Sequence, residues 1–393
     1  MRVLIIGGGV GGLAAALALR RRQLPVAVYD AAGPASEPTA HAEPTAHAEP
    51  PARVGPGLWL PPGAMQLFER WGLAGAVQGA GTVLERAVVQ TAGGEELWSV
   101  NLATGASFEA PSVALSRGAL TSLLAERLPA HVLNREATCE GFSETEEQVT
   151  ARLAEGTEVG GEVLVGADGA DSGVRRRLFP SAAPRETGRV SHWGVAPAPT
   201  DDPSEQDRVL RDLWGKGARF VLLPVERDRV FWCAAQRASR APRPRPNPDD
   251  AKASLADDYA EFPGPTGALI DATPAEAITR VELQDLAPLG QWHRGRVGLL
   301  GDAAHAASPA LGLGPAQAVA DAYALALAFD EHDAPEAVFA EYENRRMNKA
   351  RRVQRRSRQL GDWGHAKSAW AHRLRDTALR LAPAAALRRT LFS

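Results

Sequence analysis

Apolar runs and one Ala/Leu-rich stretch alternate over the first thirty residues and predict a strand, a helix and a second strand. Val3–Ile6 is short, apolar and largely β-branched, as is typical of a buried parallel strand. Residues 13–22 are rich in Ala and Leu and predict a helix. Val26–Tyr29 predicts the second strand, which ends at Asp30. The pattern therefore predicts a βαβ unit.

A glycine-rich turn joins the first strand to the helix. Residues 7–12 read Gly-Gly-Gly-Val-Gly-Gly and satisfy G-x-G-x-x-G. Glycines allow a tight turn and a close approach of the backbone to a pyrophosphate, and the helix N-terminus offers free N–H groups to that anion. Asp30, 18 residues after the last glycine, can accept hydrogen bonds from a ribose. The unit predicts a dinucleotide site but does not distinguish NAD from FAD.

Two later strands also end in acidic residues. Residues 162–169 read as a strand ending in Asp168, and the motif continues as D-G-x-x-S-x-x-R to Arg175. Residues 296–305 read as a strand ending in Gly301-Asp302, followed by a Pro/Gly loop at 308–315 and a helix over about 316–329. Parallel strands deliver such residues to one sheet edge, where doubly wound sheets bind ligands.

These three motifs, in this order and at these separations, resemble those of the FAD-dependent aromatic-ring hydroxylases, the single-component flavoprotein monooxygenases of the para-hydroxybenzoate hydroxylase type. The resemblance covers nearly the whole chain and includes residues 53–62, 116–120, 220–224 and 230–232. It implies an α/β (α+β mixed) fold: a Rossmann-like FAD-binding domain with an inserted β-sheet substrate domain and a C-terminal helical segment.

The resemblance also implies a division of the chain. We expect the FAD-binding domain to comprise 1–80, 111–180 and 280–340, substrate-domain strands at 81–110, the substrate-binding domain at 181–279, and C-terminal helices at 341–393. The tandem repeat of Glu-Pro-Thr-Ala-His-Ala within 37–50 predicts a flexible insertion. In the tail, Trp363, Ala366, Trp370 and Leu374 fall at helical spacing. We expect this stripe to pack on the FAD-binding domain, with a membrane-surface role as the alternative.

By position, the resemblance implies a set of FAD contacts. The ADP half would be held by the glycine-rich turn and Asp30, the pyrophosphate or ribityl chain would lie near Arg117, and Asp302 would bond the ribityl hydroxyls. The D-G-x-x-S-x-x-R motif would touch both FAD and NAD(P)H, and the 309–314 loop would line the isoalloxazine ring. The expected cofactor-binding residues are Gly7, Gly9, Val10, Gly11, Gly12, Asp30, Arg53, Arg117, Asp168, Gly169, Arg175, Gly301, Asp302, Pro309, Gly312, Leu313 and Gly314.

The implied reaction uses FAD, NADPH or NADH as a transient co-substrate, and O2. NAD(P)H reduces FAD, dioxygen forms a flavin C4a-hydroperoxide, and its distal oxygen attacks an electron-rich carbon of a small aromatic or heteroaromatic substrate. No metal is expected, because the histidines show no metal-binding spacing. The alternatives on the same fold are a reductase or epoxidase of an isoprenoid or polyene, and a flavin-binding protein without hydroxylase turnover.

Three candidate catalytic residues are Pro309, Arg219 and His192. Arg219 could bind a substrate carboxylate or phenolate, with an ordinary surface arginine as the alternative. His192, beside Trp193, could deprotonate a phenol, with a structural histidine as the alternative. For His305 we expect a structural hydrogen bond rather than a chemical role.

Composition narrows the function classes. The 393 residues are 45% hydrophobic and 23% charged, which is typical of a globular protein. The net charge of −3 argues against a nucleic-acid partner, and no apolar run is long enough for stable membrane insertion. A signal peptide is disfavoured because five glycines interrupt the apolar run that ends at Leu19. Two cysteines make no disulfide framework, so we expect a cytoplasmic protein. The expected partner is a small aromatic molecule, and the expected assembly is a monomer or a homodimer.

Overall fold

The computed structural model describes residues 1–33, 56–103, 109–199, 208–239, 247–365 and 369–381. The predicted insertion at 37–50 and Arg53 lie outside these ranges. Over the described residues the strands are, in chain order, β1 (Val3–Ile6), β2 (Val26–Tyr29), β3 (Gly57–Leu60), β4 (Thr82–Leu84), β5 (Arg86–Thr91), β6 (Glu96–Asn101), β7 (Ser112–Ser116), β8 (Leu133–Asn134), β9 (Cys139–Glu144), β10 (Val149–Leu153), β11 (Glu158–Gly161), β12 (Val163–Gly166), β13 (Pro184–Pro197), β14 (Val209–Trp214), β15 (Ala218–Glu226), β16 (Arg229–Arg237), β17 (Thr279–Leu286), β18 (His293–Arg294) and β19 (Val297–Leu299).

The α-helices of the same residues are α1 (Val10–Arg20), α2 (Pro62–Arg70), α3 (Ala74–Gly79), α4 (Arg117–Glu126), α5 (Gly173–Leu178), α6 (Pro248–Asp258), α7 (Thr266–Ala272), α8 (Asp302–His305), α9 (Gly314–Glu331), α10 (Pro335–Gly364) and α11 (Ala369–Leu381). Short 3-10 turns lie at Ala154–Gly156, Ala275–Ala277 and Pro309–Leu311.

The sheet that contains β1 and β2 has the order β18-β19-β12-β1-β2-β8, and its strands are parallel except at β18. β1, β2 and β12 are buried along their whole length, as their unbroken apolar runs predict. Helices α1 and α9 pack on each other, and α4 packs on α1. The strands at Val3–Ile6 and Val26–Tyr29 have the predicted bounds, whereas α1 begins three residues earlier than predicted, at Val10.

A second sheet, with the order β17-β13-β16-β15-β14-β5-β6, is antiparallel except between β14 and β5. It joins strands from the two segments expected to form the substrate domain, 81–110 and 181–279. β17 extends this sheet past the expected boundary at residue 279, because it pairs with β13 as far as Pro184–Leu286. β4 belongs instead to a small sheet with the order β3-β7-β4.

The C-terminal helices connect the two large sheets. α10 begins at Pro335, before the expected start at 341, and packs on α9. α11 packs against β6, where Leu379 is buried beside Leu97 and Trp214. The expectation of an apolar stripe packed on the FAD-binding domain is therefore wrong for the described part of this stripe, because Trp363 and Leu374 are each 56% exposed. Within the described residues, no helix combines the length and apolar character needed to cross a bilayer.

Candidate active site

A cavity of about 930 Å3 lies where the carboxyl edge of the parallel sheet faces the second sheet. On one side it is lined by the turn before α1, by Arg117 and by the segment from Gly301 to Gly314. On the other side it is lined by side chains of β5, β6 and β13 to β16. The two predicted parts of the site, for cofactor and for substrate, therefore open into one space.

Close packing requires glycine in the turn before α1 and in the first turn of that helix. Gly7 has a φ of +110°, and a Cβ placed on Gly12 would lie 1.9 Å from the Gly7 carbonyl oxygen. Around Gly9 there is room, since the nearest atom to a Cβ there would be Nη2 of Arg117 at 3.6 Å. α1 has no side-chain cap and no acidic residue in its first turn, so its N–H groups are open to an anion. The helix end and the guanidinium fit a pyrophosphate.

Asp30 stands at the end of β2, next to this turn. A Cβ on Gly8 would lie 2.6 Å from Oδ2 of Asp30, so the glycine leaves the space that the carboxylate occupies. The backbone N–H of Asp30 donates to the carbonyl of Asn134 at 2.9 Å. Asp30 does not line the described part of the cavity. Sequence reasoning missed the need for glycine at position 8, although the run of three consecutive glycines was a visible signal.

The D-G-x-x-S-x-x-R motif is bonded within the protein. Asp168 accepts hydrogen bonds from the Ser172 hydroxyl at 2.5 Å and from the Val174 N–H at 3.1 Å. Gly169 lines the cavity. The guanidinium of Arg175 is fully buried and donates to three carbonyl groups, those of Ala303 (3.1 Å), Ala182 (3.2 Å) and Ala170. Arg175 thus ties the motif to α8, and its side chain is absent from the described cavity wall.

Beneath the Gly301-Asp302 turn lies a buried ionic network centred on Asp321 of α9. Its carboxylate accepts from the Gly301 N–H (3.1 Å) and from Nε of Arg346 (2.6 Å), and it lies 2.5 Å from Nε2 of His305. Burial alone would raise the pKa of Asp321, but His305 and Arg346 outweigh it and lower the pKa to about 2. His305 is thus held in a structural hydrogen bond.

Sequence reasoning missed Asp321 and Arg346. One signal was available: Asp321 is an acid within the apolar stretch of the predicted helix 316–329. Asp302 itself opens to the cavity. Desolvation raises the pKa of Asp302, and His305 and Arg117 oppose this rise.

The loop before α9 is shaped by a 3-10 turn and by Gly312, which has a φ of +66°. Pro309, Gly312 and Gly314 line the cavity, whereas Leu313 is 6% exposed and packs in the core behind the loop. Ser357 of α10 holds the loop: its hydroxyl accepts from the Leu311 N–H at 3.2 Å and donates to the Ser308 carbonyl. The N-terminus of α9 also faces the cavity. Because no side chain caps this helix, its first N–H groups are open to a ligand.

The sheet side of the cavity is mostly aromatic and aliphatic. Alternation along the strands decides which residues face it. On β14, β15 and β16, Trp214 and Arg219 line the cavity, whereas Arg211, Phe220 and Trp232 lie on the other face of the sheet. The aromatic residues of the lining are Trp59, Trp98, Trp193, Trp214, Phe231 and Trp363.

Arg219 is not the surface residue that composition suggested. Only 4% of it is exposed, its Nε donates to Oδ1 of Asp212 at 3.1 Å, and its Nη2 donates to Oδ2 of the same carboxylate. Nη2 also donates to the Ala310 carbonyl at 3.2 Å. The pair therefore joins the sheet to the loop beside the cofactor site. The sequence did not indicate a role for Asp212, because only the pairing of β14 with β15 brings it next to Arg219.

His192 is not brought together with the other candidates. Its neighbour Trp193 lines the cavity, so His192 points to the opposite face of β13 and is buried there. Burial lowers the pKa of His192 to about 4, with a further contribution from Arg280. The imidazole is neutral at pH 7 and lies behind the sheet.

The chain matches the family model described as FAD binding domain over residues 1–357. It is 33% identical to aurachin C monooxygenase/isomerase of Stigmatella aurantiaca, over 97% of this chain and 94% of that protein. It is 28% identical to 6-hydroxynicotinate 3-monooxygenase of Bordetella bronchiseptica, over 90% of each. A solved structure of Klebsiella pneumoniae HpxO with FAD and uric acid has the same fold, with a TM-score of 0.85 and 24% identity over 100% of this chain and 95% of that one. The chain belongs to the FAD binding domain family, and it is an FAD-dependent monooxygenase of the aromatic-hydroxylase type.

Proposed function

We propose that the enzyme uses NADPH or NADH and dioxygen to hydroxylate an aromatic or heteroaromatic ring held against the Trp-lined face of the second sheet. One observation carries this proposal: a single cavity has a dinucleotide-type glycine turn and an uncapped helix N-terminus on one side and an aromatic wall on the other. Pockets that bury a ring need such a wall, and cofactor sites need the polar groups opposite it.

Each part of the cavity wall has its own role in binding. The N-terminus of α1 and Arg117 bind the pyrophosphate of FAD, with Asp30 on the ribose side and Asp302 at the ribityl chain. When bound, FAD supplies the hydride acceptor and the activation of dioxygen. The N-terminus of α9, with Gly312 and Gly314 before and at its start, would stabilise negative charge on bound FAD. Pro309 lines the cavity and would contact the substrate ring, and the tryptophans would exclude water.

The names of related proteins favour a ring substrate. The Bordetella relative is a 6-hydroxynicotinate 3-monooxygenase, and the HpxO structure contains uric acid; both compounds are nitrogen heterocycles. We further propose that the enzyme works in the cytoplasm as a monomer or homodimer. The two cysteines, Cys139 and Cys233, are both free thiols, in keeping with a reducing compartment.

The test is the rate of anaerobic FAD reduction by NADPH and by NADH, with aromatic acids, phenols and N-heterocycles added singly. We expect at least one ring compound to accelerate reduction manyfold. Fast reduction that no ligand changes would indicate a reductase instead. Absence of reduction by either nucleotide would contradict a single-component monooxygenase.

A further inference from the structure

We infer that the Arg219–Asp212 pair makes the cavity selective for an uncharged ring that carries an N–H or O–H donor, and selective against aromatic carboxylates. The inference rests on the proposed function, because it specifies which ring compounds that reaction takes. It differs from the sequence-based expectation that Arg219 binds a substrate carboxylate.

The charge of Arg219 is already matched by a neighbouring side chain. Asp212 of β14 receives two hydrogen bonds from the guanidinium, and the two side chains are only 12% and 5% exposed. Such a two-point arginine–carboxylate contact fixes the orientation of both groups. The wall of the cavity at this point is therefore a neutral pair.

Neighbouring groups hold the guanidinium in place. It stacks on Trp214, with 5.3 Å between Cζ and the ring centroid, and donates to the Ala310 carbonyl at 3.2 Å. α10 passes directly over its stem, since a Cβ on Gly364 would lie 2.5 Å from Cδ of Arg219. Turning the guanidinium towards a new anion would break these contacts together.

Asp212 accepts from Nε and Nη2 of Arg219. A carboxylate substrate bound only at Nη1 would lie beside Asp212 as a second anion, and one bound at Nε and Nη2 would displace Asp212 from the guanidinium. Asp212 would then be left without its partner, in a poorly solvated site next to a second anion, and separating a buried pair in this way is strongly unfavourable. The other guanidinium groups of the described lining are Arg117, which lies beside Gly9, and Arg356, which has an interaction partner of its own.

An uncharged donor would meet a suitable acceptor. An ionised carboxylate is an acceptor only, with more lone pairs than Arg219 uses. Asp212 retains some exposure and lines the cavity, so it can accept a hydrogen bond from a ring N–H or O–H while it stays paired. The surrounding tryptophans then bury the rest of the ring.

The test uses pairs of ligands of nearly equal shape, in which an uncharged carboxamide with N–H donors replaces a carboxylate, measured on the FAD-loaded enzyme. Three pairs are suitable: 6-hydroxynicotinamide with 6-hydroxynicotinate, salicylamide with salicylate, and 4-hydroxyquinoline-2-carboxamide with the 2-carboxylate. Binding is followed by quenching of tryptophan fluorescence and by the change in flavin absorbance. We expect the best-bound carboxamide to bind about tenfold or more tightly than its carboxylate.

Two variants connect this preference to the pair. Asp212→Asn leaves the Arg219 charge unmatched. It should shift the ratio of carboxamide to carboxylate affinity towards the carboxylate by about tenfold or more. Asp212→Glu keeps the charge and should keep the preference for the carboxamide. The FAD content of each variant shows whether it has folded. Even if Asp212→Asn does not fold, the ratio of carboxamide to carboxylate affinity in the wild-type enzyme tests the inference.

Several outcomes overturn the inference: equal or tighter binding of the carboxylates by the wild type, an unchanged ratio in folded Asp212→Asn, or binding of neither member of any pair. The proposed function is tested separately by dioxygen-dependent product formation. Turnover with a preference for carboxylates would refute this inference alone. A preference for carboxamides without turnover of any ring compound would refute the proposed function alone.

Discussion

Replacing Asp321 by Asn should destabilise the protein more than the same substitution of an exposed carboxylate on the same helix. Asp321 is fully buried and bonded to His305, Arg346 and the N–H of Gly301. The amide keeps the shape but removes the charge, so the guanidinium of Arg346, which is 8% exposed, loses its oppositely charged partner. Removing one member of such a buried pair costs about 3–5 kcal/mol of unfolding free energy.

The same carboxylate should make stability depend on acid pH. Its pKa falls from 3.8 to about 2 on folding, which corresponds to roughly 2 kcal/mol. Because the pKa is lower in the folded state, this contribution is complete above pH 3.8 and is lost as the pH falls through about 2. In Asp321→Asn this part of the acid dependence should be absent.

The assay is urea unfolding at a fixed FAD concentration, followed by tryptophan and flavin fluorescence. The matched control is Asp330→Asn, also in α9, whose carboxylate is 46% exposed and lies 2.7 Å from Nε of Arg22. We expect the control to cost less than about 1 kcal/mol. FAD affinity should fall only in Asp321→Asn, because the carboxylate holds the Gly301 N–H next to Asp302. Equal effects of the two substitutions would refute the reasoning.

Three further changes test other parts of the site. Arg175→Ala leaves one buried and two partly buried carbonyls without their donor and should cost about 3 kcal/mol or more of stability in urea. Arg176→Ala, at an exposed position, should cost less than about 1 kcal/mol, and similar losses for the two variants would contradict this. Gly12→Ala should abolish FAD binding, measured by flavin content, because its Cβ would collide with a backbone oxygen, while Gly63→Ala, with open space around it, should bind FAD normally. His192→Gln should leave kcat within about threefold of the wild type, because the imidazole lies behind the sheet. A large loss of kcat would instead place the histidine in the reaction. Because folding lowers the pKa of His192 from 6.5 to about 4, the free energy of unfolding of the wild type should fall as the pH drops below 6.5. This fall should be smaller in His192→Gln.

Features encoded over short stretches could be predicted from the sequence. Val3–Ile6 and Val26–Tyr29 have the predicted bounds because each is an unbroken apolar run next to a glycine-rich turn or an acid. The turn before α9 was visible as a Pro/Gly segment for the same reason, and its cavity-lining residues Pro309, Gly312 and Gly314 were among the predicted ones.

Pairings between distant segments could not be predicted. Asp321 lies 25 residues from Arg346, and only the packing of α10 on α9 brings them together. Strand faces were a second source of error. His192 and Trp193 are adjacent in sequence, but neighbouring residues of a strand point to opposite faces, so only the tryptophan reaches the cavity.

Element boundaries and helix docking also depended on tertiary structure. β17 continues to Leu286 because it has β13 to pair with, which no local pattern signals. The exposed Trp363 follows from the position of the end of α10, which lies over the cavity rather than over the parallel sheet. A helical spacing of apolar residues predicts a helix, but it does not say which surface the helix meets.

The most direct test of the proposed hydroxylation follows the oxygen atom itself. The FAD-loaded enzyme is supplied with NADPH or NADH and with a ring compound that accelerates flavin reduction. The dioxygen in the assay is labelled with the heavy oxygen isotope. We predict a product with one heavy oxygen on the ring, formed in step with oxidation of the nicotinamide. Oxidation of the nicotinamide with no ring oxygenation, or a ring oxygen derived from water, would contradict the account.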